Sequence, residues 1–303
     1  MLHRVSTSYQ PGTGYIDSNH LGDCLSYLHD HKYSLLSLEQ LILAIRHGES
    51  PPPKSVVFTI DDGYIDQAEI AAPIFLEHEC PLTFFVITGM LDHRILPWDA
   101  QIAWIIESSK KPQLENCTSI RNLDLDIFSN MTRRELRRSI QISLRAMDTD
   151  SINAVVEQLA HDADVEIPSR FPDSFLPMDW DTARELEQRG VRFAPHSVSH
   201  NILSRLARDA VASEIRESWK TLENELKQPL KIFCYPNGNT FDYGDREIEL
   251  IKQEGYLGAV STTPKFVKPD ILPDDNLYRL PRLALPGNMT DFIQHCEWFA
   301  RSR

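Results

Sequence analysis

No run of 18 apolar residues occurs anywhere in the 303-residue chain, so no segment reads as a bilayer-spanning helix. An excess of basic residues is missing too. The 31 Lys and Arg are outnumbered by 44 Asp and Glu, and a net charge of −13 supplies no phosphate-gripping face of the kind nucleic-acid binders need. The five cysteines, at 24, 80, 117, 234 and 296, contain no C-x-x-C pair. An odd number without that pair argues against a disulfide frame or a zinc ribbon and suits reduced, buried thiols, Cys234 included. No G-x-G-x-x-G follows the first strand-like run and no G-x-x-x-x-G-K-[ST] occurs, which removes the main support for a nucleotide site. Internal repeats and low-complexity tracts are also absent. The amino end, MLHRVSTSYQPGTG, has neither an apolar core nor a small-residue cleavage site. As written, and unless a leader has been removed, the sequence points to the cytoplasm.

What is present is a core-forming apolar content of 42% arranged in short runs. Runs rich in Val, Ile, Phe and Tyr recur at 55–60, 82–88, 191–196, 231–236 and 256–262, flanked by shorter ones at 2–5 and 277–283. Helix-like stretches at 19–31, 37–47, 66–79, 181–189, 207–227 and 245–254 lie between them. Alternation of this kind predicts parallel strands joined by crossovers, and the nearly continuous apolar runs suit strands covered on both faces. The expected fold is α/β: about seven parallel strands in a distorted (β/α) barrel, with an open doubly wound sheet as the other arrangement. The alternation lapses over about 93–170, where WDAQIAWIIESSKK and MTRRELRRSIQISLRAM show helical spacing and Thr132 with Glu135 forms a capping-box pattern. This predicts a helical insertion within a single domain spanning 1–303. Arg133, Arg134, Arg137 and Arg138 read as its solvated face.

Two local patterns suggest chemistry. In SVVFTIDDGYIDQ a strand-like run meets Asp61 and Asp62 side by side, followed by Gly63. A lone D-D-G is most simply a strand-to-helix turn. In APHSVSH, at the end of another strand-like run, His196 and His200 are four apart, a spacing that on a helical turn puts both imidazoles on one face. Both patterns fall where parallel strands end, the face on which β/α barrels collect active-site residues. One carboxylate and two imidazoles make an open three-ligand set for a divalent cation, and a second carboxylate can take a proton from water that the cation acidifies. Two adjacent acids would then have separate tasks. Tyr64, Trp98 and Trp180, near these loops, read as packing residues.

Taken in order, FTIDDG, HSVSH and FCYPNG resemble the first three motifs of the polysaccharide deacetylase family (carbohydrate esterase family 4, the NodB-homology domain). The flanking TFFVITGMLD, ELEQRGVRFAPH and GYLGAVSTT are similar as well, so the resemblance covers about 55–92 and 176–285 and leaves the insertion outside. It implies Asp61 as catalytic base and Asp62, His196 and His200 as metal ligands. It also implies that the Tyr235–Gly238 loop offers a backbone N–H to an oxyanion. The family's third motif often carries an arginine that orients the base. Here Phe233-Cys234-Tyr235 stands in that neighbourhood, and Arg282 in LPRLAL is the substitute.

The family's Leu-x-Leu-His motif, which supplies the catalytic acid, is not recognisable. His3 in MLHRV resembles the Tyr-His-x-Val/Ile opening of a permuted subgroup of exopolysaccharide deacetylases. It is preferred to His295 in DFIQHCEWF, which reads as part of an amphipathic helix. The reaction implied is metal-assisted removal of an acetyl group from an N-acetylated amino sugar in a glycan or glycan precursor. Zn2+ is the first choice of cation, with Co2+, Ni2+ and Mn2+ as alternatives. The competing readings are a catalytically silent carbohydrate-binding domain, and hydrolysis of a formamide or an O-acetyl ester. The oligomeric state is not legible.

Overall fold

The computed structural model describes residues 1–8, 14–111, 114, 119, 131–267 and 274–301, so Cys117 lies outside the described residues. Nine short strands occur among them: β1 (Val5–Ser6), β2 (Ile16–Asp17), β3 (Ser34–Leu35), β4 (Ser55–Val56), β5 (Phe58–Asp62), β6 (Leu82–Val86), β7 (Arg192–Pro195), β8 (Ile232–Cys234) and β9 (Gly258–Val260). Every ladder among them is parallel: β5-β6-β7, β8-β9, β1-β2 and β3-β4. The chain returns between the main strands through helices Ala72–Glu77, Trp180–Gln188, Arg208–Glu225 and Asp245–Gln253. Parallel pairing requires crossovers of this kind, so the α/β class follows directly from the spacing of the apolar runs.

Backbone bonds outside the regular ladders continue the strand series. Leu230 N–H donates to Phe193 O at 2.7 Å, bringing the chain that enters β8 beside β7. Leu2 bridges Ile60 and Leu280 bridges Val260, both in parallel sense. The runs at 2–5 and 277–283 are thus shorter as strands than their sequences suggest. Pro281 has no N–H to give a ladder, and Asp274–Arg279 coils into a 3-10 helix, so pairing there is confined to the neighbourhood of Leu280. The ladders alone describe sets of parallel strands rather than a closed seven-stranded barrel.

Alternation along β6 divides the core. Phe84 and Val86 join one buried cluster with Phe58, Ile60 and Phe193, while Phe85 joins another with Ala194, Phe233 and Val260. Helix Ser18–Asp30 covers the first cluster, and helices Leu38–Arg46, Arg208–Glu225 and Asp245–Gln253 cover the second. The helix-like stretch at 66–79 contains a π-helical turn, Gln67–Ala71, ahead of the α-helix Ala72–Glu77. Pro73 cannot donate into the preceding turn, which accounts for the irregular start.

The stretch from 93 to 170 contributes helices Trp98–Ser108, Arg133–Leu144 and Thr149–Ala163, packed around a separate apolar cluster. Thr132 and Glu135 form the reciprocal capping box. Arg133 caps carbonyls of Ile106 and Lys111, and Arg137 pairs with Glu107, so two of the four arginines tie this unit together. Ile202, two residues past His200, belongs to the same cluster. Among the described residues no helix is long and apolar enough to cross a membrane.

Candidate active site

The polar residues singled out above converge where the parallel strands end. Asp61 and Asp62 close β5. Alternation would send their side chains to opposite faces, but Asp62 and Gly63 have φ of 89° and 99°, which turns the chain off the ladder. An L-residue held at positive φ is strained, and such strain tends to collect at functional sites. Glycine suits position 63 because its φ of 99° strains any L side chain, and an added Cβ would lie 2.7 Å from Leu91 Cδ1.

His196 follows β7 directly, and its N–H donates to Val86 O at 2.9 Å. Its Nδ1 is hydrogen-bonded to Cys234 O at 2.9 Å, which turns Nε2 toward Asp62 Oδ1, 3.7 Å away. His200 Nε2 is 3.9 Å from the same oxygen. The expected helical turn between the two histidines is not formed. Ser197 and His200 are both left-handed (φ 64° and 60°), and Ser197 Oγ accepts the His200 N–H at 3.0 Å. Glu214 then holds the loop by accepting the N–H groups of Val198 and Ser199, at 2.8 and 3.0 Å. A built loop therefore brings the imidazoles together, with ring centroids 4.8 Å apart.

Asp61 is almost wholly buried, and Arg282 spans both its oxygens, each at 2.7 Å. The guanidinium is held in turn by Ser261 O and Thr59 Oγ1, both at 3.0 Å. Cys234, expected only to pack, lies 3.1 Å from Arg282 and 3.6 Å from Asp61 Oδ2. His3 Nε2 stands 3.8 Å from Asp61 Oδ2 with its side chain 44% exposed, so it meets both the buried carboxylate and solvent. His295 lies on helix Met289–Arg301, and among the described residues no ion pair joins it to Asp61.

The loop at 235–238 differs in detail from expectation. Tyr235 N–H donates to Val260 O (3.3 Å) and Gly238 N–H to Pro236 O (2.6 Å), while Tyr235 OH is buried against Tyr278 O (2.9 Å). Tyr235 is thus committed to the strand edge and the core, with its ring stacked on Tyr243. Among the described residues the loop's uncommitted backbone N–H is that of Asn237, at φ 59°. Tyr64 and Trp98 are buried and Trp180 donates to Asp92, as packing residues do.

Electrostatics separates the two acids. Burial works to raise the Asp61 carboxyl, but the charge and hydrogen bonds of Arg282 outweigh it and hold Asp61 well below the usual carboxylate range. Asp62 has no such partner, and burial pushes it up. Burial, aided by His200, lowers His196 to about 3, which leaves its imidazole neutral. For His200 burial also acts downward, but Asp99 more than reverses it and raises His200 to about 9.

These donors suit a divalent cation. Asp62 Oδ1 is buried with no hydrogen-bond partner among the described residues, and the nearest groups are two imidazole nitrogens. Separations of 3.7 and 3.9 Å are too long for hydrogen bonds but near the edges, about 3.3–3.4 Å, of a tetrahedral zinc site. A second cluster, Asp61, His196 and Cys234, is similarly close-set. It is the poorer cation site, because Arg282 touches both Asp61 and Cys234 and burial keeps the Cys234 thiol protonated.

One participant went unread in the sequence. Asp99 Oδ1 lies 3.6 Å from His200 Nδ1, an ion-pair separation, and it comes from the first turn of helix Trp98–Ser108. Nothing in PWDA marks that aspartate as different from any acid near a helix start.

Comparison with known proteins follows the same lines. The family model described as "Polysaccharide deacetylase" matches residues 48–259. YxkH of Bacillus subtilis (strain 168), assigned to the polysaccharide deacetylases, is 19% identical over 266 residues, which is 88% of this chain and 64% of that protein's length. Among solved structures, the Streptococcus pyogenes deacetylase PplD in complex with acetate superposes with a TM-score of 0.63 at 18% identity, covering 98% of this chain and 95% of that one. A de-N-acetylase from Aggregatibacter actinomycetemcomitans gives 0.61 at 17% identity, with 97% of each chain covered.

Proposed function

Because the chain belongs to the polysaccharide deacetylase family, we propose that it hydrolyses the acetamido group of an N-acetylated amino sugar in a glycan or glycan precursor. The observation that carries this reading is the pairing of unequal acids. Asp61 is ionised and clamped by Arg282, while the Oδ1 of its neighbour Asp62, with no hydrogen-bond partner among the described residues, faces two imidazoles. A silent binding domain would have no use for the clamped acid.

In this reading Asp62, His196 and His200 hold one divalent cation, Zn2+ first by ligand type and Co2+, Ni2+ or Mn2+ next. The cation supplies Lewis acidity, lowering the pKa of water and polarising an acetyl carbonyl. Asp61 accepts the proton of the attacking water on its carboxylate. Arg282 keeps that carboxylate ionised and oriented, at the expense of its basicity. The Asn237 N–H, rather than that of Tyr235, donates to the developing oxyanion. His3, open to solvent on one side, gives a proton to the departing amine.

The chain acts as one catalytic domain on a distorted parallel barrel. The Leu2 and Leu280 bridges support this, as do the bonds from Met1 N to Leu283 O and from Leu285 N to Met1 O, which join its first and last members. The insertion contributes Asp99. The test is acetate release from N-acetylglucosamine oligomers by zinc-loaded protein, run beside acetate release from O-acetylated xylan and formate release from an N-formyl analogue. Release from the first alone, abolished by Asp61→Asn with metal still bound, is expected. Release only from the ester or the formamide would move the reading to those substrates.

A further inference from the structure

His3 lies between Leu2, the segment's one bridge to β5, and β1, which pairs with the two-residue β2, so neither contact fixes its half-exposed imidazole against Asp61. The residues that supply the missing grip are adjacent in sequence. Asp66 accepts the Val5 N–H through Oδ2 and the Arg4 Nε–H through Oδ1, both at 2.8 Å. Gln67, wholly buried, donates from Nε2 to His3 O and to Asp61 O, each at 2.5 Å, and accepts the Gly63 N–H on Oε1 at 3.1 Å. Both amide protons and the amide oxygen are therefore used. They join the residue that carries the exposed imidazole, the clamped acid and the glycine that turns the D-D-G loop. Arg4 adds to the grip by lying over the Tyr64 ring, 4.0 Å from its centroid, and donating to Ser174 O at 2.9 Å.

We propose that Asp66 and Gln67 form a two-residue clasp that docks residues 3–5 and so positions the His3 imidazole against Asp61. The positioning role for turnover rests on the deacetylase reading above. Gln67 is a positioning residue: its bonds go to backbone atoms of His3, Asp61 and Gly63, and it touches none of their side chains through those bonds. A buried amide that satisfies three backbone groups from two distant segments fixes their relative placement, because each of those groups would otherwise be left unpaired.

The test compares Gln67→Met, which keeps the volume and removes all three bonds, in the wild-type and His3→Ala backgrounds of the zinc-loaded enzyme. In the wild-type background kcat should fall about 100-fold with KM changed less than about threefold, the cost of misplacing a reacting group by about 1 Å. In the His3→Ala background the loss should shrink at least about tenfold, because the imidazole is already gone and only the bonds to Asp61 and Gly63 remain to act. Equal losses in the two backgrounds would overturn the clasp's role. Should Gln67→Met not fold, Asp66→Asn is carried through the same cycle, and additive losses there overturn it equally. Hydrogen exchange at the Leu2 and Val5 amides gives a readout that needs no activity: it should speed up in the variant while Asp62 keeps its metal. Wild-type protein that releases no acetate would sink the deacetylase reading by itself. Unchanged exchange in the variant would sink the clasp, whatever the wild type does.

Discussion

Arg282 lays its guanidinium across both oxygens of Asp61, 2.7 Å to each, although the two residues are 221 positions apart and both are buried. A bidentate fork onto a carboxylate is among the stronger charge-assisted contacts, and burial makes its loss costly.

Arg282→Met should therefore act on both stability and proton chemistry. A carboxylate whose folded pKa is depressed stabilises the fold above its ordinary pKa, and that contribution is lost as pH falls through the depressed value. With the guanidinium gone, burial alone acts on Asp61 and its pKa moves up. The acidic limb of the kcat/KM profile should shift to higher pH, and stability at neutral pH should drop by about 3–5 kcal/mol. Arg282→Lys, which keeps the charge without the fork, should fall between. An acidic limb that stays put in Arg282→Met would detach Arg282 from Asp61.

Metal capture should depend on pH through His200. In the metal-free protein, Asp99 overcomes burial and keeps a proton on His200 up to about pH 9. Because that folded value lies above the ordinary 6.5, the charged pair stabilises the metal-free fold fully below pH 6.5 and fades as pH rises through about 9. A cation must displace this proton. Calorimetric titration with Zn2+ should therefore find affinity rising about tenfold per pH unit between 6.5 and about 9, with close to one proton released. His196, already neutral, adds nothing to that slope. An affinity flat with pH would take His200 out of the ligand set.

At about pH 9 and above, where the His200 proton no longer competes, Asp99→Asn should weaken zinc binding by about 10–100-fold while leaving the three ligands in place, because the carboxylate that orients His200 is lost. Its helix should remain folded, since the apolar cluster around Trp98, Ile102 and Ile106 does not involve the side chain. Retained affinity with a lowered melting temperature would make Asp99 a structural residue of the insertion instead.

Most of the frame was legible because apolar runs and crossover helices are local signals. The runs at 55–60, 82–88 and 191–196 overlap strands β5, β6 and β7, and every ladder among the described residues is parallel. Motif spacing likewise reached Asp61, Asp62, His196 and His200, which the fold brings to one place. The misreadings had physical causes. The 196–200 stretch was expected as a helical turn, but left-handed Ser197 and His200 build a loop that i,i+4 spacing cannot distinguish from one. The loop Tyr235–Gly238 reads in sequence as the source of an N–H, but Tyr235, within the apolar run 231–236, gives its own to Val260 O. Asp99, Gln67 and Cys234 carry no local signature at all. Their significance arises only when segments distant in sequence are packed together.

The groups assigned to proton handling and those assigned to the cation are distributed differently along the chain. His3 and Arg282 belong to segments that are hydrogen-bonded to one another through Met1 and residues 283–285, whereas Asp62 ends β5 and His196 and His200 lie in the loop that follows β7. Opening of that seam as one unit with the Asp66–Gln67 clasp and the Arg282 contacts would withdraw the acid and the clamp together and leave the cation's ligands in their own segments. The molecule would then have an idling form, loaded but unable to turn over, separated from the working form by one local unfolding event rather than by loss of the fold.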